Sequence, residues 1–315
     1  MNTYSEKLPH IESFGYEANF WDALRGKPGH KEHLSNGIDT STGAPVLMPR
    51  TQEKFLAALK KEGLFRSIAT DIRAFDNQYR IKIANNNDVA AWVPEGGSIP
   101  LSAGTEDFDD MGIGSHKLAT FFKIEEEFVQ DHTFLLEDHL VKRLAKNFGR
   151  AEDSGFINGT GVDMPTGILA KTGGADIGVT ADGLTYDDVI KLFFSVKPEY
   201  RRNGTWVMND ETALILRTLK DSNGNYIWNH SNDTILGHKV RISEFMPNAA
   251  PGSKPIAFGD FSYYWIVGRR PVSVRTLVEQ FSVLGYIGYL AYEFLDGKLV
   301  RPDAIKVMQM TDTAA

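Results

Sequence analysis

Apolar and polar positions along this chain change their spacing several times. The first fifty residues are polar and turn-rich ("RGKPGHKEHLSNGIDTSTGAPVLMP"), with too few periodic apolar positions for a core of their own. They read as an extended arm. From Thr51, "TQEKFLAALKKEG" sets Phe55, Leu56 and Leu59 on one side, with Thr51 as N-cap and Gly63 as stop, which predicts a short helix. Tyr79, Ile81 and Ile83 alternate with Arg80 and Lys82, and Leu118, Thr120, Phe122 and Ile124 resume the alternation, so strands flank a long insertion rich in Gly, Asn, Asp and Pro. A loop of that length inside a domain is uncommon, and a lone hairpin is marginal in water. If it is ordered, another surface lies beneath it.

From about Thr133 to Phe156 the positions Leu136, Leu140, Val141, Leu144, Phe148, Ala151 and Gly155 recur at spacings of three and four, and Lys142, Arg143, Lys146 and Arg150 fill the other side. This predicts a long amphipathic helix, capped at Asp131 or Thr133 and ended by Gly159 in a left-handed conformation. Beyond it, "LTYDDVIKLFFSVKPEYRRNGTWVMNDETALILRTLKDSNGNYIW" reads as helix, loop, strand, helix and turn, with Thr185 capping above Asp187 and Asp188. The strand-like pieces "HKVRISEF", "PIAFGDFSYYWIVG", "PVSVRTLV" and "FSVLGYIGYLAYEFL" follow, the last punctuated by Asp296-Gly297. The pattern is α+β without a regular βαβ repeat, which argues against Rossmann and TIM-barrel architectures.

At 315 residues and 42% hydrophobic the chain can bury a substantial core, by length that of about two domains. It has no cysteine, which removes disulfides, thiolate catalysis and cysteine-ligated metals. The N-terminus carries no basic and apolar signal pattern, and no segment approaches the ~20 apolar residues of a membrane span. A net charge of -7 argues against neutralising phosphates as the main task. Between Ala84 and His116 the charged side chains are Asp88, Glu95, Glu106, Asp107, Asp109 and Asp110, with no Lys or Arg. Such a stretch is either a solvated acidic loop or one that lies on a basic surface of another subunit. A carboxylate metal or glycosidase site lacks supporting context there. "NGTG" at Asn158 is followed by no lysine and comes after a helix, unlike a phosphate loop, and no Gly-x-Ser-x-Gly occurs. The eight histidines are scattered; His30 and His33 sit in the polar arm, and His132 and His139 read as surface residues. No catalytic, cofactor or metal site is expected.

The runs "VAAWVPEGGSIP", "HKLATFFKIEEEFVQD", "FINGTGVDMPTGIL", "WVMND", "LKDSNGNYIW", "ILGHKVRISEFMP", "IAFGDFSYYWIVGRR" and "RPDAIKVM", in that order from about Phe20 to Met308, resemble the major capsid protein family of tailed bacteriophages with the Hong Kong 97-like fold. The resemblance implies an N-terminal arm at 1–50, a peripheral domain beginning at 51–83, an extended E-loop at 84–117, the peripheral domain with its spine helix at 118–170, an axial domain at 171–268, and long strands with a C-terminal return at 269–315. "FINGTGVDMPTGIL" then becomes the corner between spine helix and axial domain. The implied function is a non-enzymatic major capsid protein of the virion, self-assembling in the host cytoplasm into the pentamers and hexamers of an icosahedral head around double-stranded DNA. Its partners would be a separate scaffolding protein, a portal and decoration proteins, with no membrane. Some family members cross-link through an E-loop lysine, but none lies between Lys82 and Lys117, so covalent chainmail is not expected. The expected inter-subunit contact joins Glu95, Glu106, Asp107, Asp109 and Asp110 to Arg143, Lys146 and Arg150 of a neighbour. An encapsulin-type nanocompartment shell shares the implied fold, and a cytoplasmic α+β enzyme with an acidic lid is the alternative of a different class.

Overall fold

The computed structural model describes residues 14–27, 29–30, 33–34, 37–73, 79–84, 93, 108–131, 134–220, 223, 226, 228 and 233–312. Helix α1 (Phe14–Leu24) corrects the expectation of an arm extended along its first fifty residues. Tyr16, Phe20, Ala23 and Leu24 recur at helical spacing and are buried against the body of the same chain. The Tyr16 hydroxyl donates to Val46 O at 3.0 Å, and Tyr289 donates to Leu24 O at 3.0 Å. The segment behind α1 is tied down as well, by Leu47 N–H to Val272 O at 2.8 Å and Val274 N–H to Pro45 O at 2.9 Å.

Helix α2 (Pro49–Glu62) starts two residues before the expected cap, because Pro49 occupies its first turn, where no backbone donor is needed. Thr51 is buried instead and donates to Glu137 Oε1 at 3.1 Å. Gly63 ends the helix as predicted. Then follow α3 (Phe65–Ile68), β1 (Thr70–Arg73), the hairpin strands β2 (Tyr79–Ala84) and β3 (Phe108–Ile113), β4 (His116–Glu125), α4 (Glu126–Gln130) and α5 (Leu136–Asn158). The 23-residue α5 is about 35 Å long at ~1.5 Å per residue.

Its ends differ from expectation. Leu135 is the N-cap and makes no side-chain cap, while Asp131 closes α4 instead, and Thr133 lies outside the described residues. Gly159 ends the helix in extended backbone, φ -61°, so a left-handed turn is not what requires glycine there. The requirement is space, since a Cβ would lie 2.1 Å from Pro165 O and 2.3 Å from Gly155 O. The apolar stripe also drifts around the helix. Ala151 is exposed, and Glu152 and Asp153 are buried in its place.

The second half contains β5 (Asp176–Ala181), α6 (Tyr186–Ser195), α7 (Pro198–Arg201), β6 (Thr205–Met208), α8 (Asp210–Thr218), β7 (Thr234–Ile235), β8 (His238–Ile242), β9 (Ile256–Gly259), β10 (Tyr264–Leu277), β11 (Tyr286–Leu299) and β12 (Ile305–Met310). Thr185 caps α6 as predicted, accepting from Asp188 N–H. Asp296-Gly297 does not interrupt a strand pair but lies inside β11, opposite Val267 and Ile266. A Cβ on Gly297 would lie 2.6 Å from the Tyr264 hydroxyl and 2.8 Å from Phe156. Glycine there lets α5 and β10 pack closely.

A four-stranded sheet in the order β1-β10-β11-β4 carries α1, α2 and the first half of α5 on one face. A six-stranded sheet runs β5-β12-β9-β6-β8-β7. Its two faces are buried in different cores: Trp206, Met208, Ile256 and Phe258 pack under α6 and α8, while Val207, Ala257, Ile305 and Val307 join Phe156 and Tyr264 at the junction of the two sheets. Residues 305–310, expected with the preceding long strands, are therefore built into the six-stranded sheet.

The stretch 158–168 is the corner between α5 and the second half. Thr160 bridges Thr166, Gly167 N–H reaches Gly159 O at 2.9 Å, and Ile168 N–H reaches Phe156 O at 2.8 Å. All three bonds serve the chain's own backbone.

Candidate inter-subunit surfaces

The hairpin of β2 and β3 forms a two-stranded sheet of its own. Within the acidic insertion set at 84–117, Phe108–Ile113 is therefore strand. Register places Asp110 opposite Lys82 and Asp109 opposite Ile83. Glu95, Glu106 and Asp107 lie outside the described residues, as does most of the tip.

The root of the hairpin is held firmly. Ile113 is buried with Val267 and Val300. Asp296, 1% exposed, accepts Gly114 N–H at 2.7 Å through Oδ2 and lies 3.4 Å from His116 Nε2 through Oδ1. The Arg269 guanidinium donates to Gly114 O at 3.0 Å and to Ile113 O, and Lys298 donates to Gly112 O at 2.6 Å. Three charged side chains of β10 and β11 thus fix the backbone at one end of the ribbon.

On α5, Arg143, Lys146 and Arg150 are all exposed at i, i+3 and i+7, which puts them on one face. Their surroundings differ. The Arg143 guanidinium sits 4.7 Å from the centroid of the Phe122 ring, an orientation fixed from beneath by the sheet. Arg150 pairs with Glu244 at 3.0 Å, with both side chains about three-fifths exposed, so at most a weak bond holds it. His139, nearby, is held below its usual pKa by burial and by the charges of Arg143 and Lys142. The structure gathers the cations as predicted.

Sequence reasoning missed an ionic cluster buried beneath this face. Arg66 donates to Glu152 at 2.9 and 2.7 Å, and lies 2.9 Å from Asp71 and 3.4 Å from Glu293. Burial alone would lower the Arg66 pKa; the charges of Glu152, Asp71 and Glu293 reverse it, so the guanidinium stays charged. Burial, reinforced by Glu152, raises Glu293 well above the carboxylate range. Among the described residues Glu293 Oε2 has no hydrogen-bond partner. Next to it, Asp153 accepts Leu64 N–H at 2.7 Å and Phe65 N–H at 2.9 Å, which caps α3, while burial pushes its pKa to about 6. Two adjacent acids of α5 therefore bolt the α2–α3 elbow to the helix. The one signal was the acidic pair falling where the apolar stripe should have continued.

Among the described residues no three His, Asp or Glu side chains converge in metal-ligand spacing, and no helix is long and apolar enough to cross a membrane.

Residues 43–310 match the family model described as the phage capsid family. No curated protein matches the sequence. Among solved structures, the capsid of an empty GTA particle computed with C5 symmetry is 30% identical with a TM-score of 0.68, covering 78% of this chain and 89% of that one. The capsid of the native GTA particle, also computed with C5 symmetry, is 29% identical with a TM-score of 0.64 over the same shares. The Mycobacterium phage Cain structure, 16% identical, has a TM-score of 0.57 over 81% of this chain and 92% of that one.

Proposed function

This chain belongs to the phage capsid family and is a capsid shell protein, and from that premise we propose that its copies close into pentamers and hexamers of an icosahedral head. What supports this reading is the hairpin of β2 and β3, which among the described residues pairs with no other strand and is anchored to the body at its root. Ordering backbone costs ~1–2 kcal/mol per residue, and a lone ribbon recovers little of that at home. A neighbouring subunit supplies the missing face. Many such contacts, each modest, add up to a stable shell. The solved GTA capsid was computed with five-fold symmetry, and head-to-tail contacts of the kind proposed here close into rings of that sort.

In this reading the six-stranded half is the axial domain, the four-stranded half with α5 is the peripheral domain, and the hairpin is the E-loop. Its acidic residues dock on the basic face of a neighbour's α5. Arg143 and Lys146 carry most of the attraction, since Arg150 already has Glu244. A separate scaffolding protein, a portal, decoration proteins and packaged double-stranded DNA complete the assembly in the host cytoplasm. The chain has no enzymatic role.

The test is to reverse Glu106, Asp107, Asp109 and Asp110 to lysine and follow assembly by light scattering and negative-stain imaging. Loss of shells with an unchanged thermal midpoint is the expected result. Normal shells from that variant refute the docking.

A further inference from the structure

We propose that Glu293 of β11 is a neutral carboxylic acid whose proton bonds Glu152 of α5, and that this proton latches helix to sheet where the two halves of the chain meet. The latch lies within one subunit, so it stands or falls independently of the shell contacts proposed above.

The hydrogen bonds of the buried cluster call for that proton. Arg66 of α3 grips Glu152 with Nε at 2.9 Å and Nη2 at 2.7 Å, a two-pronged bond that matches the charges of both groups. Its third nitrogen, Nη1, turns outward to Asp71 of β1 at 2.9 Å. Glu293 receives the long end of the guanidinium, Nη2 to Oε1 at 3.4 Å, and its Oε2 has no partner among the described residues. The side chains of Glu152 and Glu293 are 0% and 5% exposed, so water solvates neither carboxyl. The polar groups around them are committed elsewhere. The Tyr264 hydroxyl of β10 donates to Thr166 O at 2.8 Å, and Asp153 of α5 accepts the Leu64 and Phe65 amides. Across the sheet Glu293 faces Leu118 of β4, which is uncharged.

As a carboxylate, Glu293 would be a second buried anion against Glu152 with one guanidinium for both, and Asp71 adds a third negative charge. As an acid it turns that repulsion into a bond. The two carboxyls stand within hydrogen-bond reach of one another, and Glu152 keeps lone pairs beyond the two it gives Arg66. Burial and the Glu152 charge together hold Glu293 well above the carboxylate range, with Arg66 opposing them.

The latch is placed to act on the joint. One turn beyond Glu152, Phe156 packs on Tyr264 with ring centroids 5.4 Å apart, and α5 then ends at the corner that leads into the six-stranded half. Asp71, 38% exposed, opens the cluster to solvent. Loss of the proton to water leaves two facing carboxylates, one on the helix and one on the sheet, and parting α5 from β11 relieves their repulsion. The unfolded chain releases this proton near pH 4.5, whereas the folded chain keeps it. The latch therefore contributes in full below that pH and is lost as pH rises through the folded value.

Infrared spectra of the full-length folded chain at rising pH test the proposal. The expected result is a protonated-carboxyl carbonyl band that survives above pH 7, after Asp153 has titrated through about 6, and that is absent from Glu293→Gln. A folded wild type without that band, or an undiminished band in E293Q, overturns the proposal. Glu152→Gln separates pairing from burial: it should weaken the band by letting Glu293 ionise against Arg66, and an unchanged band there refutes the bond to Glu152. The wild-type spectrum decides the matter even if neither variant folds. E293Q keeps the shape and a donor but cannot ionise, so between pH 5 and 7 the wild-type folding equilibrium should fall about tenfold per pH unit relative to it. Backbone amides of residues 152–157 should exchange faster in the wild type than in E293Q at pH 8 and equally at pH 4. Parallel pH profiles of the two proteins sink the latch while leaving the capsid reading intact.

Discussion

Helix α1 and the hairpin of β2 and β3 meet the body of the chain in opposite ways. The helix buries Tyr16, Phe20, Ala23 and Leu24 over its whole length and is stapled by hydroxyls from both sides. The ribbon is fixed at one end by Asp296, Arg269 and Lys298, and its two strands pair with no other strand among the described residues. An element fastened along a face belongs to the subunit's own stability. One fastened at a root is stabilised from outside.

The most direct way to break this contrast is to compare Phe20→Ala with replacement of residues 85–107 by a short Gly-Ser linker. Phe20 is fully buried, so its truncation should cost about 3–5 kcal/mol and lower the melting temperature by several degrees. The linker variant should melt like the wild type and fail to form shells. Equal melting of both variants would dissolve the distinction.

Asp153 sharpens it within the body. Its folded pKa of about 6 lies above the value of about 3.8 that an unfolded aspartate has. The folded state therefore holds the extra proton, and the contribution to stability is complete below about pH 4 and lost as pH rises through about 6. The span corresponds to roughly 3 kcal/mol. Asp153→Asn should flatten the dependence of the melting temperature on pH between 4 and 7; an unchanged slope assigns the titration elsewhere.

The root of the hairpin should respond less. Asp296→Ala leaves the Gly114 amide without its acceptor at a cost of about 1–3 kcal/mol, and hydrogen exchange at Gly114 should accelerate while exchange in α1 stays slow. Matching acceleration in both would mean that root and body open together. The smallest effect belongs to Leu236, a non-glycine residue at φ 50° in the turn between β7 and β8. Leu236→Asn should stabilise by about 1 kcal/mol, read as a small rise in melting temperature.

Most of the regular elements were legible because they obey one period each. The stripe Leu136, Leu140, Leu144, Phe148 marks α5, the alternation from Leu118 to Ile124 marks β4, and Thr185 marks the start of α6. Helix α1 was missed because a single eleven-residue segment gives too short a window for periodicity to stand out, and the burial of its residues depends on sheet partners more than two hundred residues away. Asp296-Gly297 looked like a turn because local propensity favours one there; tertiary packing of Phe156 and Tyr264 overrode it. The basic face of α5 could be read, since exposed charges follow the helical period. The cluster of Arg66, Glu152 and Glu293 could not, because three separate elements converge on it and a charge alternation in one of them says nothing of burial.

The position of β12 bears on how the molecule comes into being. This strand, after every other strand in chain order, lies between β5 and β9, and its partners in β5 precede it by about 130 residues. At ~5–20 residues per second of synthesis, β5 waits from about six to about twenty-six seconds for the neighbour that covers its edge. The six-stranded half is therefore completed only once residues 305–310 are made, and until then β5 and β9 present unpaired backbone to every other chain emerging nearby. For a protein produced in many copies at one place, that interval is when a subunit is most exposed to pairing with the wrong partner.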